Sequence, residues 1–207
     1  MIFGEASERK KLEQQRRSEG RLPPGQSLTL KWPVLHAGTV PRFDPATWDF
    51  RIGFQTKGGL VEQPVRLTWE EFSRLPRTEI VCDMHCVTRW SRFDNRFEGV
   101  AFTEVMKLVK PRPTARFAIV HAEHGFTANL PLADLMRPET MFAFKHDGEP
   151  LSAEHGFPVR LLVPHLYLWK SVKWVRGFEL NERDEPGFWE QNGYHMYGDP
   201  WKEQRYS

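Results

Sequence analysis

The sequence predicts one α+β domain of strand-rich, mixed sheets with short helices, extended at both ends. Three observations carry that expectation. Eight Trp and fifteen Phe stand among 207 residues, with apolar side chains at 40% and charged ones at 27%. That is enough for a packed core and too balanced for wholesale disorder. Sixteen Pro and fifteen Gly break the chain into short elements joined by turns. The length is about one and a half typical domains, so one domain with appendages is the default.

The elements follow in order. Residues 5–20 are almost all polar, with Leu12 the one large apolar side chain, which reads as a solvated helix or a flexible arm. Arg21 to Pro45 carries five prolines and reads as extended and irregular. Trp48 to Phe54 alternates as a strand does. Thr68-Trp-Glu-Glu71 is a capping box opening a helix through Leu75. Thr78 to Met84 reads as a strand leading to Cys86, and Thr103 as the cap of a helix through Val109, stopped by Lys-Pro-Arg-Pro113. Ala115 to Val120, Met141 to Phe144, Val159 to Val163 and Val172 to Leu180 complete the strands. The expected organisation is a polar arm over 1–29, the domain over 30–180, and an aromatic tail over 181–207 packed on it, its rings burying enough surface to fix an irregular segment.

Composition also excludes several classes. Lys and Arg number 29 against 27 Asp and Glu, a net charge of +2, which offers no basic stripe for nucleic acid. No apolar run approaches the roughly 20 residues of a membrane span, and the first twenty positions lack the apolar core of a secretory signal. A cytoplasmic location is expected. Two cysteines cannot form a disulfide framework, and a reducing compartment keeps them as thiols.

The densest chemistry is Cys82-Asp-Met-His85-Cys86-Val-Thr-Arg89-Trp-Ser91-Arg92, directly after a strand. Three readings stay open on the residues alone. The cysteines are buried small hydrophobes, their commonest role. Or Cys82, His85 and Cys86 bind zinc, which lacks a fourth ligand and the usual spacing. Or Cys86 is a thiolate ligand or nucleophile, its charge favoured by Arg89 and Arg92. A second stretch, from His155 to Arg176, holds Arg160, Lys170, Lys173 and Arg176 and no acidic residue between Glu154 and Glu179. It reads either as surface cations or as a wall for a phosphate-bearing ligand, with Arg160 as a fork and Lys173 as a point charge. There is no Gly-rich phosphate loop. His121-Ala-Glu-His124 puts two imidazoles on opposite faces of a strand unless a turn intervenes. One of them, with His121 chosen, is counted as a pocket residue.

Cys86-Val-Thr-Arg-Trp-Ser91, His155-Gly-Phe-Pro-Val-Arg-Leu-Leu-Val-Pro164 and Ser171-Val-Lys-Trp174 occur in an order and spacing that resembles the molybdopterin-binding domain of the sulfite oxidase family. The resemblance covers approximately residues 30 to 180. The ending Gly187-Phe-Trp-Glu190, Gly193-Tyr-His195 and Gly198-Asp-Pro-Trp201 is similar to small stand-alone bacterial members. The resemblance implies the family's fold and a molybdenum carried by one pyranopterin dithiolene, with Cys86 as the protein thiolate. It implies that His155 and Arg160 contact the pterin or its phosphate, that Ser171, Val172 and Lys173 bind it through backbone and ammonium groups, and that Leu35-His36-Ala37 is a further contact segment. It implies an oxidoreductase performing oxygen-atom transfer or a related two-electron reaction on a small oxyanion, sulfoxide or N-oxide. The alternative is a non-catalytic carrier of the cofactor or a scaffold domain. Arg89 is the candidate for steering an anionic substrate. The tyrosine of the classical members appears here as Phe126, and their sulfite-binding arginine has no counterpart. With no haem domain expected, electrons would pass to a separate electron-transfer protein.

Overall fold

The protein, a computed structural model, is described over residues 2–54 and 59–207, with side chains from residue 7 onward. A helix, Ile2–Ser18 (α1), is followed by the short strand Ser27–Leu28 (β1), the strands Asp49–Ile52 (β2) and Val65–Thr68 (β3), and the helix Trp69–Ser73 (α2). A long hairpin, Thr78–His85 (β4) and Trp90–Ala101 (β5), runs into the helix Phe102–Met106 (α3). Next come Phe117–Ala122 (β6), Thr127–Pro131 (β7), the helix Leu132–Leu135 (α4), Met141–His146 (β8) and Glu149–Pro150 (β9). Arg160–Leu162 (β10), Val175–Asn181 (β11) and the short helix Phe188–Gln191 (α5) complete the order.

The strands form two sheets. In the first, β5 is the hub, parallel to β1 and antiparallel to β4 and β8, and β8 in turn holds β9 and β10. The second has the order β3-β2-β11-β6-β7, with β2 and β11 parallel. β11 crosses β2 so closely that a Cβ on Gly177 (φ +147°) would lie 1.9 Å from the Arg51 carbonyl oxygen; only glycine fits there. The sheets share one aromatic core. Phe50 of β2 stacks on Phe72 of α2 at 4.5 Å and meets Phe142 of β8 at 5.0 Å, and Phe178 of β11 lies 5.0 Å from Phe102 of α3.

The strand-rich α+β class is as the sequence predicts. Thr68 caps α2 through the complete capping box with Glu71. Thr103 does not cap α3: the helix starts two residues earlier than such a cap would place it, with Ala101 as its N-cap and no side-chain cap bond. The chain turns straight out of β5 so that Phe102, Val105 and Met106 are buried. β1, β3, β5, β7 and β9 lie in stretches for which the sequence predicts no strand. The polar arm is helical and tied down: Arg21 donates to both oxygens of Asp83 at 2.9 and 2.6 Å, and Arg16 bonds Asp94 at 2.7 Å. No helix among the described residues is long and apolar enough to cross a membrane.

Candidate active site

Cys86 directly follows β4, at the tight turn into β5. Its N–H donates to Trp90 O (2.8 Å), and Arg89 N–H donates back to Cys86 O (3.0 Å). Arg89 takes φ 71°, the left-handed position that closes such loops. Gln26, reaching over from the arm, donates to Cys86 O at 3.0 Å. The backbone of Cys86 is therefore fixed at both polar groups. Its side chain is 8% exposed, lies 3.1 Å from Thr88 Oγ1, and borders a cavity of about 310 Å³. Burial pushes the thiol up from its ordinary value, and hydrogen bonds from Thr88 and the Val87 backbone oppose the rise.

A second wall of the cavity runs from His155 to Trp174. Arg160 is buried, and that desolvation brings its guanidinium down to about 10. It donates to His155 O (2.9 Å) and Ser171 O (3.0 Å), while its Nε is buried without a protein acceptor. Lys173 donates to Leu35 O and Glu154 O, each at 2.9 Å; burial and then Arg160 lower its ammonium to about 8. Gly156, at φ +113°, lets these two side chains approach: a Cβ there would sit 3.0 Å from Arg160 Cβ and 3.2 Å from Lys173 Cβ. Trp174 holds the left-handed φ of 55°, a conformation that costs a bulky residue about 1–3 kcal/mol and concentrates at functional sites.

The segment 32–38 closes a third side. Trp32 stacks on His155 at 4.0 Å and lies 5.2 Å from the Arg160 guanidinium. His155 Nε2–H donates to Trp32 O (3.2 Å), and its Nδ1 accepts from Ser152 (2.9 Å). Burial, then Arg160, lowers its pKa. His36 borders the cavity and bonds Gly38 O at 3.0 Å.

The fourth side is aromatic and is built from Trp169 and the tail. Trp169 packs near Cys86, Trp189 stacks on Tyr194 at 4.9 Å, and all three border the cavity. A buried ion pair pins this wall. Lys170 Nζ lies 2.7 Å from Glu190 Oε1 with both side chains at most 1% exposed, and it also donates to Asn129 O, Asn129 Oδ1 and Met196 O. Trp169 Nε1–H donates to the same Glu190 oxygen at 2.8 Å. These tail residues are missing from the sequence-based set because the tail reads as an anchor alone.

Cys86, His36, His155, Arg160, Ser171, Val172 and Lys173 thus border one cavity. Arg89 does not: its left-handed turn sends the guanidinium outward, beside Gly25. Arg92 pairs with Asp147 at 2.8 Å, so neither arginine accompanies the thiol. His121 is also away from the cavity. It sits on β6 with Nε2 3.5 Å from Glu179; the turn that follows, Glu123–Gly125, brings His124 to the lining instead. Cys82 packs in a different cluster, with Met84 and Phe97 among its buried residues, and burial raises its thiol to about 12. His85 bonds Ser91 Oγ at 2.8 Å and is held down to about 4 by burial. A zinc set or a thiol–imidazole pair does not form here; among the described residues no three His, Cys, Asp or Glu side chains converge as metal ligands.

The profile of the family described as oxidoreductase molybdopterin binding domain matches residues 37–189. The chain is 46% identical over 189 residues to the uncharacterized oxidoreductase YuiH of Bacillus subtilis, covering 91% of this chain and 93% of that one. It is 28% identical over 174 residues to MsrP of Gluconobacter oxydans, a protein-methionine-sulfoxide reductase catalytic subunit, covering 75% and 54%. The solved sulfane dehydrogenase SoxCD from Paracoccus pantotrophus matches with a TM-score of 0.64 at 22% identity, over 73% of this chain and 42% of that one. At that identity the likeness is one of fold.

Proposed function

Because the chain belongs to the oxidoreductase molybdopterin binding domain family, and is thereby a molybdopterin-dependent oxidoreductase, we propose that it performs oxygen-atom transfer on a small oxyanion, sulfoxide or N-oxide, with Cys86 as the protein thiolate on molybdenum. The observation that carries this reading is the joint opening of Cys86 and the Arg160–Lys173 wall on one cavity.

The residues fit the group chemically. A thiolate suits a soft, high-valent centre over calcium or magnesium. Arg160 Nε, buried without a protein acceptor, is a donor that an anionic oxygen would satisfy; such an orphan otherwise costs about 1–3 kcal/mol. Lys173 uses two of its three N–H groups on carbonyls, which leaves one for a phosphate. Gly156, with no Cβ, lets the two cations stand side by side on one wall. When bound, the group supplies a metal that changes oxidation state by two electrons and takes up or releases an oxygen atom.

The chain supplies position, dryness and a proton. Arg160, Lys173 and His155 would hold the pterin side. Trp169 and Trp189 exclude water beside Cys86. Tyr194 offers the phenol that Phe126 does not: its Oη–H is the proton donor in this reading, and burial, Tyr206 and Cys86 all raise its pKa, keeping it protonated at neutral pH. Electrons are exchanged with a separate electron-transfer protein. A relative that bears the name of a methionine-sulfoxide reductase supports sulfoxides among the substrate classes. The test is metal and pterin analysis of protein made in a host that synthesises molybdenum cofactor, followed by assays with reduced viologen or ferricyanide. About one molybdenum per chain with turnover in one direction is expected. Protein lacking metal and pterin contradicts the reading.

A further inference from the structure

The cavity is cationic on one side only. Beside Cys86 the lining is Val87, Trp90, Trp169, Trp189 and Tyr194. Arg160 and Lys173 both sit on the His155–Trp174 wall, where Arg160 donates to His155 and Ser171 and Lys173 to Leu35 and Glu154, and the donors they have left, Arg160 Nε and the third N–H of Lys173, are the ones assigned to the phosphate. Arg89, the residue expected to steer an anion, lies outside. An oxyanion moved next to the thiol would surrender its hydration shell to indole and phenol rings with no charge in return, the costly case of burial. A neutral S–O or N–O dipole loses much less. A flat ring attached to that dipole also gains contact with Trp189 and Tyr194, which is worth about three- to tenfold in affinity beyond the area it buries.

We infer that the substrate is a neutral organic S-oxide or N-oxide bearing an aromatic ring, seated against the tail wall of Trp189 and Tyr194. This deepens the oxygen-transfer reading and rests on it. In the reductive direction the S–O or N–O bond breaks, and the oxygen leaves as water after receiving two protons and two electrons. A sulfoxide is reduced to a thioether, or an N-oxide to an amine. The electrons come from a one-electron donor, the separate electron-transfer protein in the cell and reduced methyl viologen in an assay. The wall is fixed before the ligand arrives, because Glu190 sits one residue from Trp189 and is locked by Lys170 and Trp169.

The test compares substrates on the molybdenum-loaded holoenzyme. With reduced methyl viologen, kcat/KM for methyl phenyl sulfoxide should exceed that for dimethyl sulfoxide and for nitrate by about tenfold. A higher kcat/KM for nitrate, or for sulfite with ferricyanide, overturns the inference while the oxygen-transfer reading stands. If loaded enzyme turns over none of these compounds, the oxygen-transfer reading fails and this inference with it. Binding gives a readout apart from turnover. Methyl phenyl sulfone, titrated by calorimetry into wild type and into Trp189→Leu of equal pterin content, should bind the variant about tenfold more weakly. Equal affinity in the two proteins overturns the inference.

Discussion

Arg160 and Lys173 share a wall and differ in what pH does to them. Arg160 stays charged even at about 10, whereas Lys173, lowered to about 8, loses its proton within an accessible range. Below that value the ammonium is already charged, and an anion binds without taking up a proton. Above it, binding must add one, so affinity for a phosphate-bearing group falls by up to about tenfold per pH unit. Pterin released on gel filtration between pH 7 and 9.5 should therefore rise above about pH 8 in wild type. Lys173→Met should release more at every pH, with a flat profile. At the opposite wall, Tyr194→Phe should lower kcat about a hundredfold, the usual worth of a positioned acid, and leave pterin content unchanged; a kcat within twofold of wild type contradicts the role given to Tyr194. That Cys86, His155, Arg160 and Lys173 share one cavity was legible because each sits in a short, chemically dense motif. Tyr194 was not: nothing local says that a tail tyrosine returns to a cysteine far back in the chain. Arg89 misled for the converse reason, since closeness in sequence says nothing about where a left-handed turn aims a side chain.

Among the elements, the tail helix α5 depends on a pair that sequence patterns hide. Lys170 lies in a turn after an apolar strand and reads as surface, yet it is fully buried against Glu190; burial lowers its pKa and Glu190 opposes the drop. Glu190→Ala leaves that ammonium without its counter-charge and should cost about 3–5 kcal/mol, or about 10 °C in Tm for a chain of this size. The double replacement Lys170→Met with Glu190→Leu should recover most of the loss in a thermal melt. The β4–β5 hairpin shows a similar gap. β4 reads as a strand, but β5 buries Ser91 and Asn95 on its inner positions, and these polar residues erase the alternation that would announce it. The capping box at Thr68 was readable because all its parts lie within four residues; the start of α3 was not, because burial of Phe102 rather than a cap decides it.

For the molecule as a whole, composition and punctuation were sufficient for the class, strand-rich α+β with short helices. They could not give the parallel pairing of β1 with β5 or of β2 with β11, which depends on contacts between distant segments. Those pairings bring segment 32–38, the Cys86 hairpin, the stretch 155–174 and the tail around one cavity. A ligand held by all four should stabilise the fold by mass action, by about 4 kcal/mol at a thousandfold excess over its Kd. Loaded protein should thus melt about 10 °C above the cofactor-free form, and coincident melting of the two would show that the cavity does not grip the group.

The most direct measurement is X-ray absorption at the molybdenum edge, on wild type, Cys86→Ser and Cys82→Ser. Cys86→Ser is expected to show one sulfur ligand fewer and Cys82→Ser an unchanged count. The same sulfur count in all three proteins, or a loss on replacing Cys82, would contradict Cys86 as the thiolate on molybdenum.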